Sequence, residues 1–237
     1  MVVLGSALGT TSTIWRDLTA ALASSRRVLV YEHRGHGRSD LPAGPHHIGD
    51  LGRDVLALLD RLGVGEFSYV GTSLGGMVGQ WLAAHEPQRV RRLGLVCTAA
   101  HLPPAQSWWD RAALVRADGT KALSCLLAGK WFSEAYRASH SLVVADVLTE
   151  VEATDAEGYA AGCEAVATMD LRPLLPRIKA PTLVVAGSDD PSTPAELVRQ
   201  VADGIPAARY HEVAGVRHLA ALERADVVTP LLVTHLA

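Results

Sequence analysis

Apolar runs at Val2–Leu4, Val28–Tyr31, Phe67–Val70, Leu93–Cys97 and Leu183–Ala186 punctuate the chain, with helically spaced stretches between them. Runs that are continuously apolar, rather than alternating, suit strands covered on both faces, as in a parallel sheet. A further strand-like segment spans Ala208–Val213. Leu51, Val55, Leu59 and Leu62 recur at three- and four-residue spacing before Gly63, which predicts a helix ending there. Met77, Trp81 and Leu82 predict another in the segment after Ser73. Strands alternating with helices predict an α/β fold, a mainly parallel sheet flanked by helices.

The alternation stops between Leu102 and Arg172. There the pattern reads helix after helix: Trp108–Ala117, Ala122–Trp131, Tyr136–Leu148 and Tyr159–Met169. A helical block inside an α/β frame predicts an inserted cap over 102–172, with residues 1–101 and 173–237 forming the two parts of the core. Pro181 and the strand behind it return the chain to the sheet.

Composition narrows the function classes. The 237 residues carry a net charge of -3, with acidic and basic residues interleaved. That balance argues against nucleic acid or an anionic membrane as a main partner. Only 5% of residues are aromatic although 49% are hydrophobic, so Val, Leu and Ala must fill the core. Cys97, Cys125 and Cys163 are odd in number and widely spaced, giving neither a disulfide framework nor a zinc pattern. They read as small buried hydrophobes in a reducing compartment. The short apolar run ending at Gly5 lacks the features of a signal peptide, and no stretch is long enough to span a bilayer, so a cytoplasmic location is expected.

The chemistry centres on Gly71-Thr72-Ser73-Leu74-Gly75, a G-x-S-x-G between a predicted strand and a predicted helix. In that context it resembles the nucleophile turn of α/β-hydrolases, whose small neighbours let the chain fold back sharply and lift the serine hydroxyl above the sheet. Serine needs a base, and the base an orienting acid, in the chain order Ser, Asp or Glu, His. The strand Thr182–Ala186 runs into Gly187-Ser188-Asp189-Asp190-Pro191, which offers two carboxylates at the sheet face where such folds place their sites. Asp190 fits the pattern better, and either Asp could instead cap or form the turn. His218 follows the last strand and is the candidate base. His211 and His235 read as structural, and His33 and His36 belong to the tight turn Arg34-Gly35-His36-Gly37-Arg38-Ser39, read as scaffold. An acyl-transfer site also needs two N–H donors for the oxyanion. Leu74 supplies one. Against the usual H-G-x-x loop, with Ser6 and Ala7 where His and Gly are usual, Leu8 supplies the other.

The loop Gly5-Ser6-Ala7-Leu8-Gly9-Thr10-Thr11, the turn Arg34–Ser39 and the stretch Gly71–Trp81 together resemble 3-oxoadipate enol-lactonase. So do Thr98-Ala99-Ala100, Met169-Asp170-Leu171-Arg172 and Pro181–Pro194, and the likeness covers essentially the whole chain. The resemblance implies hydrolysis of an enol-lactone to 3-oxoadipate in the β-ketoadipate pathway of aromatic breakdown. It implies Ser73, Asp190 and His218 as the triad, and no metal or organic cofactor. The substrate would be a small lactone bearing a free carboxylate, so the pocket needs a donor or cation. The candidates are Arg111 and Lys130, with Trp108 and Trp131 as walls; Arg116, Lys121 and Arg137 are further cations of the block. Family members usually begin with two more strands, whereas Met1 here opens directly into the loop, which would leave a hydrophobic strand edge exposed. A homo-oligomer is left open. A general carboxylesterase or a carbon–carbon bond hydrolase would use the same triad, and a non-catalytic receptor could share the fold.

Overall fold

The computed structural model describes residues 1–206 and 208–237. Its strands are β1 (Val2–Gly5), β2 (Val28–Tyr31), β3 (Phe67–Thr72), β4 (Val90–Val96), β5 (Thr182–Gly187) and β6 (Ala208–Val213). They form one sheet in the order β2-β1-β3-β4-β5-β6, and every pairing is parallel. β1, β3 and β5 are buried along their whole length. This is why β1 and β5 run almost wholly apolar without alternation, while β3 also buries Ser68 and Thr72; each fully buried Val or Leu contributes about 1.5–3 kcal/mol. The outer strands differ. Val28, Leu29 and Val30 of β2 are half-buried, and β6 is buried only at Val213.

Helices α1 (Arg16–Leu22), α2 (Ile48–Arg61) and α3 (Leu74–His85) connect the first four strands. Leu51, Val55 and Leu59 form the buried face of α2, whereas Leu62, at its C-cap, is exposed. Between β4 and β5 come α4 (Ala105–Asp118), α5 (Ser124–Trp131), α6 (Glu134–Ser139), α7 (Ser141–Ala153) and α8 (Ala156–Ala167). The chain closes with α9 (Ala195–Gly204), α10 (Ala220–Glu223) and α11 (Ala225–Leu236). α4 lies against α8, where Arg116 bridges Glu157 and Glu164. The helical block leaves and rejoins the sheet through a narrow neck, at which the Leu171 N–H donates to the Ala100 carbonyl at 2.7 Å.

Two local expectations are corrected. The single helix expected over Tyr136–Leu148 is broken at His140, whose backbone leaves helical geometry (φ -128°, ψ 40°). The Ser139 hydroxyl donates back to the Ala135 carbonyl, and the His140 ring stacks on Tyr136 at 4.2 Å, so local bonds replace the helical continuation. Among the cysteines, Cys97 and Cys163 are buried, but Cys125 on α5 is exposed. Among the described residues, no helix is long and apolar enough to cross a membrane.

Candidate active site

Ser73 lies between β3 and α3, at φ 53° and ψ -116°. This conformation is costly for a residue with a side chain, at about 1–3 kcal/mol, and is held by its surroundings. The Ser73 N–H donates to the Val96 carbonyl at 3.0 Å, and the Ser73 carbonyl accepts from the Thr98 hydroxyl at 2.8 Å. The close return of the chain explains the flanking glycines. A Cβ at Gly71 would strike the Gly75 carbonyl, and one at Gly75 would strike the Gly5 carbonyl. A serine at a helix N-cap ordinarily spends its hydroxyl on the cap. Here no such bond forms, and the hydroxyl is left facing the cavity at the positive end of α3.

Past the end of β5, Asp190 is buried against His218, with Oδ2 at 2.7 Å from Nδ1. Its oxygens also accept from the Ser192 N–H at 2.8 Å, the Thr193 N–H at 3.2 Å and the Thr193 hydroxyl at 2.6 Å. Burial alone would raise the carboxyl's pKa, but His218 and these donors outweigh it and hold it below its usual range. Asp190 therefore stays ionised, fixes the Nδ1–H tautomer and leaves Nε2 of His218 as the free lone pair. The neighbouring Asp189 is exposed and accepts from the Ser188 hydroxyl.

The loop after β1 is fastened from the Arg34–Ser39 turn. The Ser6 carbonyl accepts from the Gly75 N–H at 3.0 Å and from Nε2 of His33 at 3.0 Å. The Gly9 N–H donates to Nε2 of His36 at 2.9 Å, whose Nδ1 faces the Arg34 carbonyl at 3.1 Å. Burial pushes both histidines down, His33 to about 3, so both stay neutral, as the bond accepted by His36 from the Gly9 N–H requires. Their turn, read as scaffold from the sequence, thus holds the loop containing Leu8. Among the described residues, neither the Leu8 nor the Leu74 N–H has an acceptor within the chain, while those of Gly9, Thr10 and Gly75 do.

The cavity is lined by Ala7, Leu8, Ser73, Leu102, Trp108, Arg111, Trp131, Tyr159, Ser192, Thr193 and His218. Its volume of about 20 Å³ suits a single water. Among the residues singled out for the pocket, Trp108, Arg111 and Trp131 line it and Lys130 does not. Lys130 adjoins the buried Trp131 on α5, and about 100° of helical rotation turns it onto a half-exposed flank. Tyr159, Leu102, Ser192 and Thr193 escaped the sequence reading. Thr193, three residues after Asp190 in a Pro-containing turn, carried a legible signal as a turn-forming hydroxyl. Tyr159 carried none, because nothing in its helical pattern tells which face meets the cavity. The buried thiols are unsuited to be nucleophiles: burial raises Cys163 to about 12 and Cys97 well above its usual value. Among the described residues, no group of three or more His, Cys, Asp or Glu is placed to hold a metal.

This geometry agrees with the comparisons. Residues 1–225 match the alpha/beta hydrolase fold family. The chain is 39% identical over 203 residues to 3-oxoadipate enol-lactonase 2 of Acinetobacter baylyi, covering 86% of this chain and 74% of that protein. It is 34% identical over 244 residues to RutD of Variovorax paradoxus, provisionally named a carbamate hydrolase, covering 100% of this chain and 91% of that one. Its fold superimposes on the crystal structure of the enol-lactonase from Burkholderia xenovorans LB400 with a TM-score of 0.96 and 39% identity, over 99% of this chain and 90% of that one.

Proposed function

The chain belongs to the alpha/beta hydrolase fold family and is an ester hydrolase akin to 3-oxoadipate enol-lactonases, and from that premise we propose that it opens an enol-lactone to the keto acid through an acyl-enzyme on Ser73. The observation carrying this reading is the buried Asp190–His218 pair at 2.7 Å, whose His218 lines one cavity with a serine whose hydroxyl is free of any capping bond.

In this mechanism Ser73 Oγ attacks the lactone carbonyl carbon while His218 Nε2 takes the hydroxyl proton. Asp190 holds the imidazole in its tautomer and stabilises the imidazolium. The N–H groups of Leu8 and Leu74 receive the oxyanion; losing one such donor typically costs about 10²–10³ in kcat. Collapse breaks the ring C–O bond and expels an enolate oxygen, a better leaving group than an alkoxide. His218 returns the proton to it, and the enol becomes a ketone while still tethered, which removes the nucleophile that could re-close the ring. Water, deprotonated by His218, then attacks the acyl-enzyme and releases the product, which within aromatic catabolism would be 3-oxoadipate.

The test follows the loss of enol-lactone absorbance with wild type and Ser73→Ala, beside p-nitrophenyl acetate and a small carbamate. Rapid lactone turnover that vanishes in Ser73→Ala supports the reading. Cleavage of the plain ester or of the carbamate without lactone turnover keeps the serine hydrolase and overturns the substrate.

A further inference from the structure

Among the described residues only two carboxylates are buried, Asp190 and Glu223. Asp190 belongs to the reacting group. Glu223 ends α10, past His218, and takes no part in proton transfer. A buried carboxylate gives up its hydration at a cost, so the groups that replace the water are informative. The two oxygens of Glu223 are divided between separate segments. Oε1 accepts from the Ser133 N–H at 3.1 Å, where α5 gives way to α6. Oε2 accepts from the Arg217 N–H at 3.2 Å, beside His218. Both bonds are charge-assisted and both go to main chain. The adjacent Arg224 pairs with Asp226 instead.

Two further bonds join the same segments. The Leu219 N–H donates to the Trp131 carbonyl at 3.2 Å, and the Arg217 guanidinium donates to the Gly129 carbonyl. Both chain neighbours of His218 are thus tied to the end of α5, whose Trp131 is a wall of the Ser73 cavity. On the helical block this clasp uses main-chain groups alone. Asp190 sets the tautomer and angle of the imidazole ring, but not the place of the loop that carries it.

We propose that Glu223 is a positioning residue: it joins the base-bearing loop to the helical block and so fixes His218 relative to Ser73 and the cavity wall. It acts through the Arg217 peptide and touches neither substrate nor reacting atoms. This rests on the reading of His218 as the base, and not on the identity of the ester. Displacing a catalytic group by about 1 Å can cost about 10²-fold in rate, so a slight slackening of the loop is enough.

The experiment measures kcat and KM on p-nitrophenyl acetate, at a temperature where circular dichroism shows each variant native. Glu223→Gln keeps the shape but turns an amide NH2 toward one of the two N–H donors. It should lower kcat by about 10- to 100-fold with KM nearly constant. A second test leaves Glu223 untouched. Ser133 has φ -61° and follows Phe132 at φ -128° and ψ 140°, a backbone that accepts proline. Ser133→Pro removes the N–H that Glu223 accepts, together with the hydroxyl that caps α6 at the Tyr136 N–H; Ser133→Ala removes the hydroxyl alone. Ser133→Pro should lower kcat, and Ser133→Ala should not. In the double variant with Glu223→Gln the losses should overlap and not multiply, because either change breaks the same bond. A Glu223 with a purely structural role would lower the urea midpoint and leave kcat near wild type. That result overturns the proposal, as do equal losses in both Ser133 variants or losses that multiply. Should Glu223→Gln not fold, the Ser133 pair decides alone. Full ester cleavage by Ser73→Ala would instead sink the reading of the reacting pair beneath it.

Discussion

On the sheet side of the cavity the groups are fixed largely through the main chain: Ser73 by the Val96 carbonyl, the Leu8 loop by His36 and the Gly75 N–H, and Asp190 by two N–H groups and a hydroxyl. On the helical side Trp108, Arg111, Trp131 and Tyr159 reach in on long side chains from α4, α5 and α8. There Arg111 is steadied by a ring face and not by a hydrogen-bonded acid. The two sides divide the work. Main-chain attachment keeps positions constant whatever side chains surround them, which suits chemistry common to all esters. Side-chain walls can be reshaped one residue at a time, which suits selection among esters. Changes to the sheet side should therefore lower kcat on every substrate, and changes to the helical side should alter KM for particular ones.

The largest expected effect is that of Ser73→Ala, about 10⁶-fold in kcat on any ester, read by single-turnover release of p-nitrophenol. Asp190→Asn comes next, at about 10⁴-fold, because an amide no longer enforces the His218 tautomer. Circular dichroism should stay native, and a loss confined to KM would contradict the division. His36→Leu removes the acceptor of the Gly9 N–H and should cost about 1–3 kcal/mol of stability in urea, with a fall in kcat shared by neutral and anionic esters. If only one ester class suffered, the loop would belong to the selective side. Smallest should be Trp131→Phe, which keeps a ring at the wall and should shift KM by a few-fold among ester sizes, with kcat for the smallest ester nearly constant.

Acid offers a route to the sheet side without mutation. His33 is neutral in the folded chain, lowered to about 3, and ordinary at 6.5 once unfolded. Between those values the unfolded chain binds the extra proton, so stability falls as pH falls below 6.5, by up to about 1.4 kcal/mol per pH unit for His33, with His36 acting in the same direction. Asp190, lowered in the folded state, adds a further loss below its ordinary 3.8. Urea midpoints measured from pH 7.5 to 4.5 should decline from about 6.5 downward; a flat profile would contradict neutral, loop-holding histidines.

Much of the sheet side was legible because its signals are local. The strand β3 shows as an apolar run, the elbow as small residues around Ser73, and the turn after β5 as Asp190-Pro191. Physical demands on a few consecutive residues leave a mark in those same residues. The helical side was legible only as helices. Which face of α8 presents Tyr159, why α5 turns in Trp131 and not Lys130, and why His140 divides α6 from α7 depend on neighbours remote in the chain. The same holds for His36: its turn was plain, but its bond to Gly9 spans 27 positions.

The neck at Ala100 and Leu171 has a consequence for how such a chain can change over generations. Because the outgoing and returning strands of backbone meet within one hydrogen bond, the whole stretch between them is a single contiguous cassette plugged into a fixed socket. Recombination with a cousin gene at those two points would exchange Trp108, Arg111, Trp131 and Tyr159 together, while every codon for the Ser73, Asp190 and His218 loops stayed in place. A lineage carrying this architecture can thus acquire a new diet in one crossover event without re-inventing its chemistry.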